Sequence, residues 1–74
     1  MKFNEKLIEL RKKSGLSQEE LGYKLNVSRQ TVSKWELGQT TPELEKIIQL
    51  SKIFNVSTDE LINDTPSNSY TDSA

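Results

Sequence analysis

The sequence predicts an all-helical fold built from five short helices. Apolar residues recur at helical spacing from Phe3 to Ile62, and no segment shows the period-two alternation of a half-buried strand. Hydroxyl residues that can cap a helix stand before four of the five apolar segments, at Ser17, Ser28, Thr41 and Ser57. Because a chain of 74 residues has room for only one core, we expect a single domain over residues 1–63.

An apolar stripe and a capping pattern define the first two helices. The stripe begins at Phe3 and stops before Gly15, a residue that suits the left-handed position after a helix. Ser17 and Glu20 have the spacing of a capping box, with the hydroxyl at the N-cap and the carboxylate three residues later. The second helix therefore starts beside Ser17 and ends before Asn26, about two turns later.

The third helix follows the second after a very short turn. Ser28 is a good N-cap, Val32 and Trp35 supply an apolar face, and Gly38 lies just beyond the end. Asn26, at the turn, tolerates the left-handed conformation. Two short helices joined in this way form a helix-turn-helix, whose second helix can enter the major groove of DNA.

Two further helices complete the predicted domain. Thr41 is expected to cap the fourth helix, with Pro42 at its first position and Glu43 in its first turn. Its apolar face is wide and consists of Leu44, Ile47, Ile48, Leu50, Ile53 and Phe54. Ser57 and Glu60 repeat the capping-box spacing and open a short fifth helix.

The last eleven residues differ in composition from the rest. Residues 64–74 contain only Tyr70 and Ala74 as apolar residues among Ser, Thr, Asn, Asp and Pro. So little apolar surface does not repay the entropy of ordering, and we expect a disordered tail or linker. Either a frayed end or a connection to an additional C-terminal domain fits this composition.

The composition argues against an enzyme and against a metal site. Cysteine and histidine are absent, which removes disulfides, thiolate and imidazole metal sites, and catalytic pairs that need histidine. The remaining candidates are carboxylates in the first turns of helices, where acidic residues are ordinary: Glu19, Glu20, Glu43 and Glu45. We expect no catalysis, no cofactor and no metal.

The sequence also indicates a cytoplasmic location. It starts with a charged amphipathic segment in place of the apolar stretch of a secretory signal. No apolar run approaches the roughly 20 residues of a membrane helix, so no membrane partner is expected.

Charge is distributed unevenly along the chain. The net charge is −1, which by itself is unusual for a nucleic-acid-binding domain. Residues 1–38 hold eight Lys and Arg against five Glu, a local balance of +3. Residues 39–74 hold two Lys against six acidic residues, a balance of −4. This polarity fits a basic DNA-facing half, although ordinary solvated faces would produce it equally well.

A dense set of motifs covers residues 3–63. Its apolar and small positions are Leu21, Gly22, Leu25, Val27, Val32 and Trp35, and its flanks are Leu10-Arg11, Gly15-Leu16-Ser17-Gln18, Trp35-Glu36, Pro42 and Asn55-Val56-Ser57. This pattern resembles the Cro and phage-repressor family of bacterial and phage regulators, also called XRE-like. Asn26, where the family usually has glycine, is a mild departure. The resemblance implies a five-helix, lambda-repressor-like fold and a transcriptional regulator, more often a repressor.

The third helix carries the predicted base contacts. At 100° per residue, one face collects Arg29, Gln30, Ser33 and Lys34, while Val32 lies on the opposite side. Arginine suits guanine O6 and N7, and glutamine suits adenine N6 and N7. Lys34 is placed so that a phosphate contact is the alternative to a base contact.

Phosphate contacts are expected on both sides of that helix. The amide of Gln18 and the free N–H groups at its helix N-terminus can meet a backbone phosphate, as the family resemblance also implies. Ser28 is a further candidate at the start of the third helix. Gln39 and Thr40 resemble the second phosphate-contact loop of the family, with a plain capping role as the alternative.

Five residues are assigned to structure. Leu21, Val32 and Trp35 are placed by phase in the core. Arg11 and Glu36 stand where the family has a salt bridge between the first and third helices; two unrelated surface charges are the alternative.

The resemblance further implies a homodimer on double-stranded DNA, with the fifth helix as the contact through Val56, Leu61 and Ile62. The competing function is an antitoxin-like module that shares this fold and mainly binds a toxin protein.

Overall fold

The computed structural model describes residues 2–62. In that range the chain forms five helices and no strand: α1 (Phe3–Lys13), α2 (Gln18–Leu25), α3 (Arg29–Glu36), α4 (Leu44–Phe54) and α5 (Thr58–Ile62). The predicted all-helical fold is confirmed. The predicted tail, residues 64–74, lies outside the described residues, and so does residue 63, the last of the predicted domain.

Both predicted capping boxes form. The hydroxyl of Ser17 accepts from the backbone N–H of Glu20 at 3.0 Å, and the Glu20 carboxylate accepts from the Ser17 N–H at 2.8 Å. Ser57 and Glu60 make the same pair of contacts at 3.0 and 3.5 Å. Each box satisfies backbone donors that a helix N-terminus otherwise leaves free, which fixes where α2 and α5 begin.

The ends of α2 and α4 use asparagine in a conformation that favours glycine. Asn26 has φ 61° and ψ 41°, and Asn55 has φ 57° and ψ 47°, both in the left-handed region. The predicted left-handed turn at Asn26 is thus confirmed. Only three residues separate the end of α2 from the start of α3.

The start of α4 differs from the prediction. Thr41 does not cap the helix; the N-cap is Glu43, whose backbone is extended with φ −71° and ψ 168°, and no side chain caps it. The fixed φ of Pro42 suits an extended segment as well as a first helical turn, and here the segment stays extended. The connection between α3 and α4 is consequently two residues longer than predicted.

The core draws buried residues from all five helices: Leu7, Leu10, Leu21, Leu25, Val32, Trp35, Ile47, Leu50 and Leu61. Leu61 is completely buried. The expectation that Leu61 helps form a dimer contact is therefore wrong, because its side chain is buried where α5 packs against the rest of the domain. Val56 is half-buried, and Ile62 is the exposed apolar residue of α5.

Gly22 allows α2 to approach the start of α3 closely. A Cβ atom at this position would lie 2.7 Å from the carbonyl oxygen of Val27 and 3.2 Å from that of Ser28. The first distance is shorter than real Cβ contacts and the second is tight, so the absence of a side chain at Gly22 permits this spacing of the two helices. The predicted need for a small residue follows from this backbone contact.

Candidate nucleic-acid interface

α3 presents a polar surface that its buried face holds in place. Arg29, Gln30 and Lys34 are exposed, whereas Val32 and Trp35 are buried in the core at 0% and 4% exposure. Ser33 is half-buried and so lies at the margin of the polar surface. Arg29 and Gln30 are the first two residues of the helix, the part of a recognition helix that points into the groove.

Ser28 caps α3 from the residue before it. Its hydroxyl accepts from the backbone N–H of Thr31 at 3.1 Å and lies 3.0 Å from the Thr31 hydroxyl. These contacts orient the first turn, and with it Arg29 and Gln30. Ser28 is itself exposed, next to the polar surface.

The carboxylate of Glu36 joins three parts of the domain. Arg11, on α1, donates to it from Nε at 2.6 Å and from Nη2 at 3.2 Å. Gln18, the first residue of α2, donates from Nε2 at 3.0 Å. The carboxylate is buried, with a side chain 5% exposed against 12% for Arg11. Two bonds from one guanidinium and one from an amide satisfy a charge that would otherwise be costly to bury.

Gln18 therefore already has one partner within the protein. An amide nitrogen carries two hydrogens, so the bond to Glu36 leaves one donor for another acceptor. The residue is half-buried at the N-terminus of α2, where backbone N–H groups and the helix dipole attract an anion. The contact with Glu36 fixes the direction of the amide. No sequence pattern predicted this contact.

Two long-range contacts tie the motif to the remaining helices. The Nζ of Lys46, on α4, donates to the carbonyl of Leu25 at 2.8 Å, and so satisfies an acceptor at the C-terminus of α2. Asn4 donates from Nδ2 to the carbonyl of Glu36 at 3.4 Å. Neither was predicted. A lysine and an asparagine within helices belong to no local pattern that could identify a partner twenty or more residues away.

The loop after α3 folds back onto the helix end. The backbone N–H groups of Gln39 and Thr40 both donate to the carbonyl of Lys34, at 2.9 and 3.4 Å. Their side chains remain exposed. The segment thus caps α3 with its backbone and leaves two polar side chains free beside the polar surface.

The described residues contain neither a cluster of potential metal ligands nor a helix able to span a membrane. Within residues 2–62, no three acidic, His or Cys side chains are grouped so that they could hold a metal ion. Over the same residues, no helix combines the length and the apolar character needed to cross a membrane.

A family model described as helix-turn-helix matches residues 7–61. Among curated relatives, the HTH-type transcriptional activator BcrR of Enterococcus faecalis is 48% identical over 62 residues, which are 84% of this chain and 30% of that protein. The cryptic phage CTXphi transcriptional repressor RstR of Vibrio cholerae is 33% identical, over 89% of this chain and 60% of that protein. The chain therefore spans less than two thirds of the length of both relatives.

Solved structures show the same fold. The P22 c2 repressor protein, in complex with a synthetic operator, superposes with a TM-score of 0.82 at 32% identity, covering 88% of this chain and 98% of that one. SinR, a master regulator for biofilm formation solved in complex with DNA, gives a TM-score of 0.75 at 26% identity, covering 82% and 98%. The family model covers most of the described residues, and the polar face of α3 and the close packing of α2 against α3 agree with it. The chain therefore belongs to the XRE-like, Cro/C1-type helix-turn-helix family.

Proposed function

We propose that this domain binds double-stranded DNA sequence-specifically, as the DNA-binding part of a transcriptional regulator. The observation that carries the proposal is α3, whose exposed side chains Arg29, Gln30 and Lys34 stand on a helix anchored by Val32 and Trp35. A helix placed in this way, after a tight turn, fits the major groove. The names of BcrR and RstR, an activator and a repressor, support a regulatory role without fixing its direction.

The base contacts in this proposal are Arg29, Gln30, Ser33 and Lys34. Arg29 can form two hydrogen bonds to a guanine edge and Gln30 two to an adenine edge. Ser33 is half-buried and would offer its hydroxyl from the margin of the surface. Each of the first two contacts would distinguish one base pair by about 1–3 kcal/mol.

The phosphate contacts are Gln18, Ser28, Gln39 and Thr40. Gln18 and Ser28 lie at the starts of α2 and α3, and Gln39 and Thr40 lie in the loop after α3. Gln18 keeps one amide hydrogen beyond its bond to Glu36. Contacts of this kind fix the register of the protein on the duplex and carry no sequence information.

We propose repression as the mode of regulation, because a protein that occupies a promoter needs no further contact to block it. A homodimer on DNA completes the proposal, since one recognition helix covers too few base pairs for useful specificity. The contact falls to the exposed Ile62 of α5 and to the half-buried Val56, two residues before that helix. Such a regulator acts where the chromosome is transcribed, so a cytoplasmic location is part of the proposal.

Selection of bound duplexes from a random library tests the function. We expect an enriched motif with twofold symmetry and half-sites about one helical turn apart. The variant carrying Arg29→Ala and Gln30→Ala is the matched control, and it should enrich no comparable motif. A parent protein that enriches no motif would overturn the proposal and favour the antitoxin-like, protein-binding function.

A further inference from the structure

Leu37 is an apolar residue on the polar surface of α3. It is the C-cap of the helix, and its side chain is 66% exposed. Its backbone keeps a helical conformation, with φ −84° and ψ −6°, and its N–H donates to the Ser33 carbonyl at 2.9 Å. The helical phase therefore still applies to it. At 100° per residue, Leu37 lies between Ser33 and Gln30, on the side proposed to face DNA.

The residue contributes little to the domain alone. Its neighbours Trp35 and Glu36 are buried at 4% and 6% exposure, while Leu37 leaves most of its surface in water. The other large apolar residues exposed in the described part of the chain lie on different helices: Tyr23, Leu44, Ile48 and Ile62. Leu37 is thus the apolar member of a surface whose other side chains can hydrogen-bond.

A leucine side chain has no donor or acceptor for a phosphate or for the polar edge of a base. The apolar group that base edges display in the major groove is the C5 methyl of thymine. We propose that Leu37 contacts a thymine methyl and is a specificity-determining residue of the domain. This inference rests on the proposed DNA-binding function, and it adds an apolar contact to the hydrogen-bonding ones.

The position of Leu37 indicates where that thymine lies. Leu37 follows Gln30 by seven residues, which is about 10 Å along the helix axis at 1.5 Å per residue. Base pairs repeat every 3.4 Å or so along the duplex, and a helix in the groove is inclined to the duplex axis, so the thymine lies within about three base pairs of the pair that Gln30 reads. Burying one methyl-sized group corresponds to about fourfold in affinity.

Replacing thymine by uracil tests the contact, since uracil lacks only the C5 methyl and keeps every hydrogen-bonding group. The duplex enriched by the parent protein is used, with each thymine replaced in turn. For the parent, uracil at one position per half-site should weaken binding about fourfold. For Leu37→Ala, the same replacement should have no effect, while all other positions behave as in the parent.

Leu44→Ala is the matched control, because Leu44 is an equally exposed leucine, at 70%, on α4. It should keep the fourfold uracil effect whatever it does to overall affinity. The inference is overturned if the enriched site has no thymine within about three base pairs of the pair that Gln30 reads, if no uracil position distinguishes the parent from Leu37→Ala, or if Leu37→Ala weakens all duplexes alike. In each case a parent that still enriches a site and loses its preference with Gln30→Ala leaves the proposed function intact.

Discussion

Gln18 and Glu36 are joined by a hydrogen bond of 3.0 Å from the amide Nε2 to the carboxylate Oε1. Gln18 is the first residue of α2 and Glu36 is the last residue of α3, so this bond connects the two helices. The buried Glu36 carboxylate also accepts two hydrogen bonds from Arg11. The two helices of the motif therefore contact each other at two places. Gly22 lies against the backbone at the start of α3, and Gln18 bonds to Glu36 at the end of α3. Their relative orientation depends on this cluster.

Removal of the Glu36 carboxylate should destabilise the domain strongly. Glu36→Ala leaves the Arg11 guanidinium, 12% exposed, without its counter-charge, and we expect a loss of about 3–5 kcal/mol in the free energy of unfolding. The double variant with Arg11→Ala should lose less than the sum of the two single variants. Urea unfolding of all four proteins measures the coupling. Additivity within about 0.5 kcal/mol would show that the pair contributes nothing.

Gly22→Ala should destabilise the domain, although alanine has a higher helix propensity than glycine. The added Cβ would meet the carbonyl of Val27 at 2.7 Å, so the backbone of the turn must shift. We expect Gly22→Ala to lower the free energy of unfolding by about 1–3 kcal/mol. In an exposed helix the same change would raise it by about 1 kcal/mol. Tyr23→Ala, next to it and 88% exposed, should stay within about 0.5 kcal/mol of the parent. An increase in stability for Gly22→Ala would contradict the close approach.

The turn at Asn26 should accept glycine but not alanine. Its φ of 61° costs a residue with a Cβ about 1–2 kcal/mol, a penalty that asparagine reduces and glycine avoids. Asn26→Gly should therefore equal or exceed the parent in thermal stability, and Asn26→Ala should unfold at a lower temperature. Equal stabilities for the two variants would show that the turn conformation places no demand on this position.

Lys34→Ala distinguishes the two contacts that this exposed side chain can make. A base contact, as proposed, would make the variant lose its preference at one base pair. A uniform loss on every duplex, together with a salt slope reduced by about 1 per bound subunit, would instead assign the ammonium to a phosphate. Titrations on preferred and scrambled duplexes at several salt concentrations separate these results.

Local sequence patterns predicted most of the fold. The two capping boxes and the left-handed Asn26 involve residues within four positions of one another, so spacing alone identifies them. The start of α4 escaped prediction because Pro42 suits an extended segment as well as a first helical turn. Burial of Leu61 could not be predicted from its phase alone, because it depends on how a helix of five residues packs against the other four helices.

The candidate site was predictable in its chemistry and less so in its connections. Helical phase was enough to place Arg29, Gln30 and Lys34 on one exposed side of α3. The bonds from Gln18 to Glu36 and from Lys46 to Leu25 span 18 and 21 residues. Partners this far apart meet only through the packing of separate helices, and no local pattern specifies them.

Binding of Gln30→Ala to preferred and scrambled duplexes tests the central claim most directly. Gln30 is exposed, uncharged and at the start of α3, so its removal leaves the attraction to phosphates unchanged. Reading by α3 predicts a loss of about 1–3 kcal/mol on the preferred duplex, relaxed preference at one base pair, and a much smaller change on the scrambled duplex. Equal losses on both duplexes would contradict sequence reading by α3.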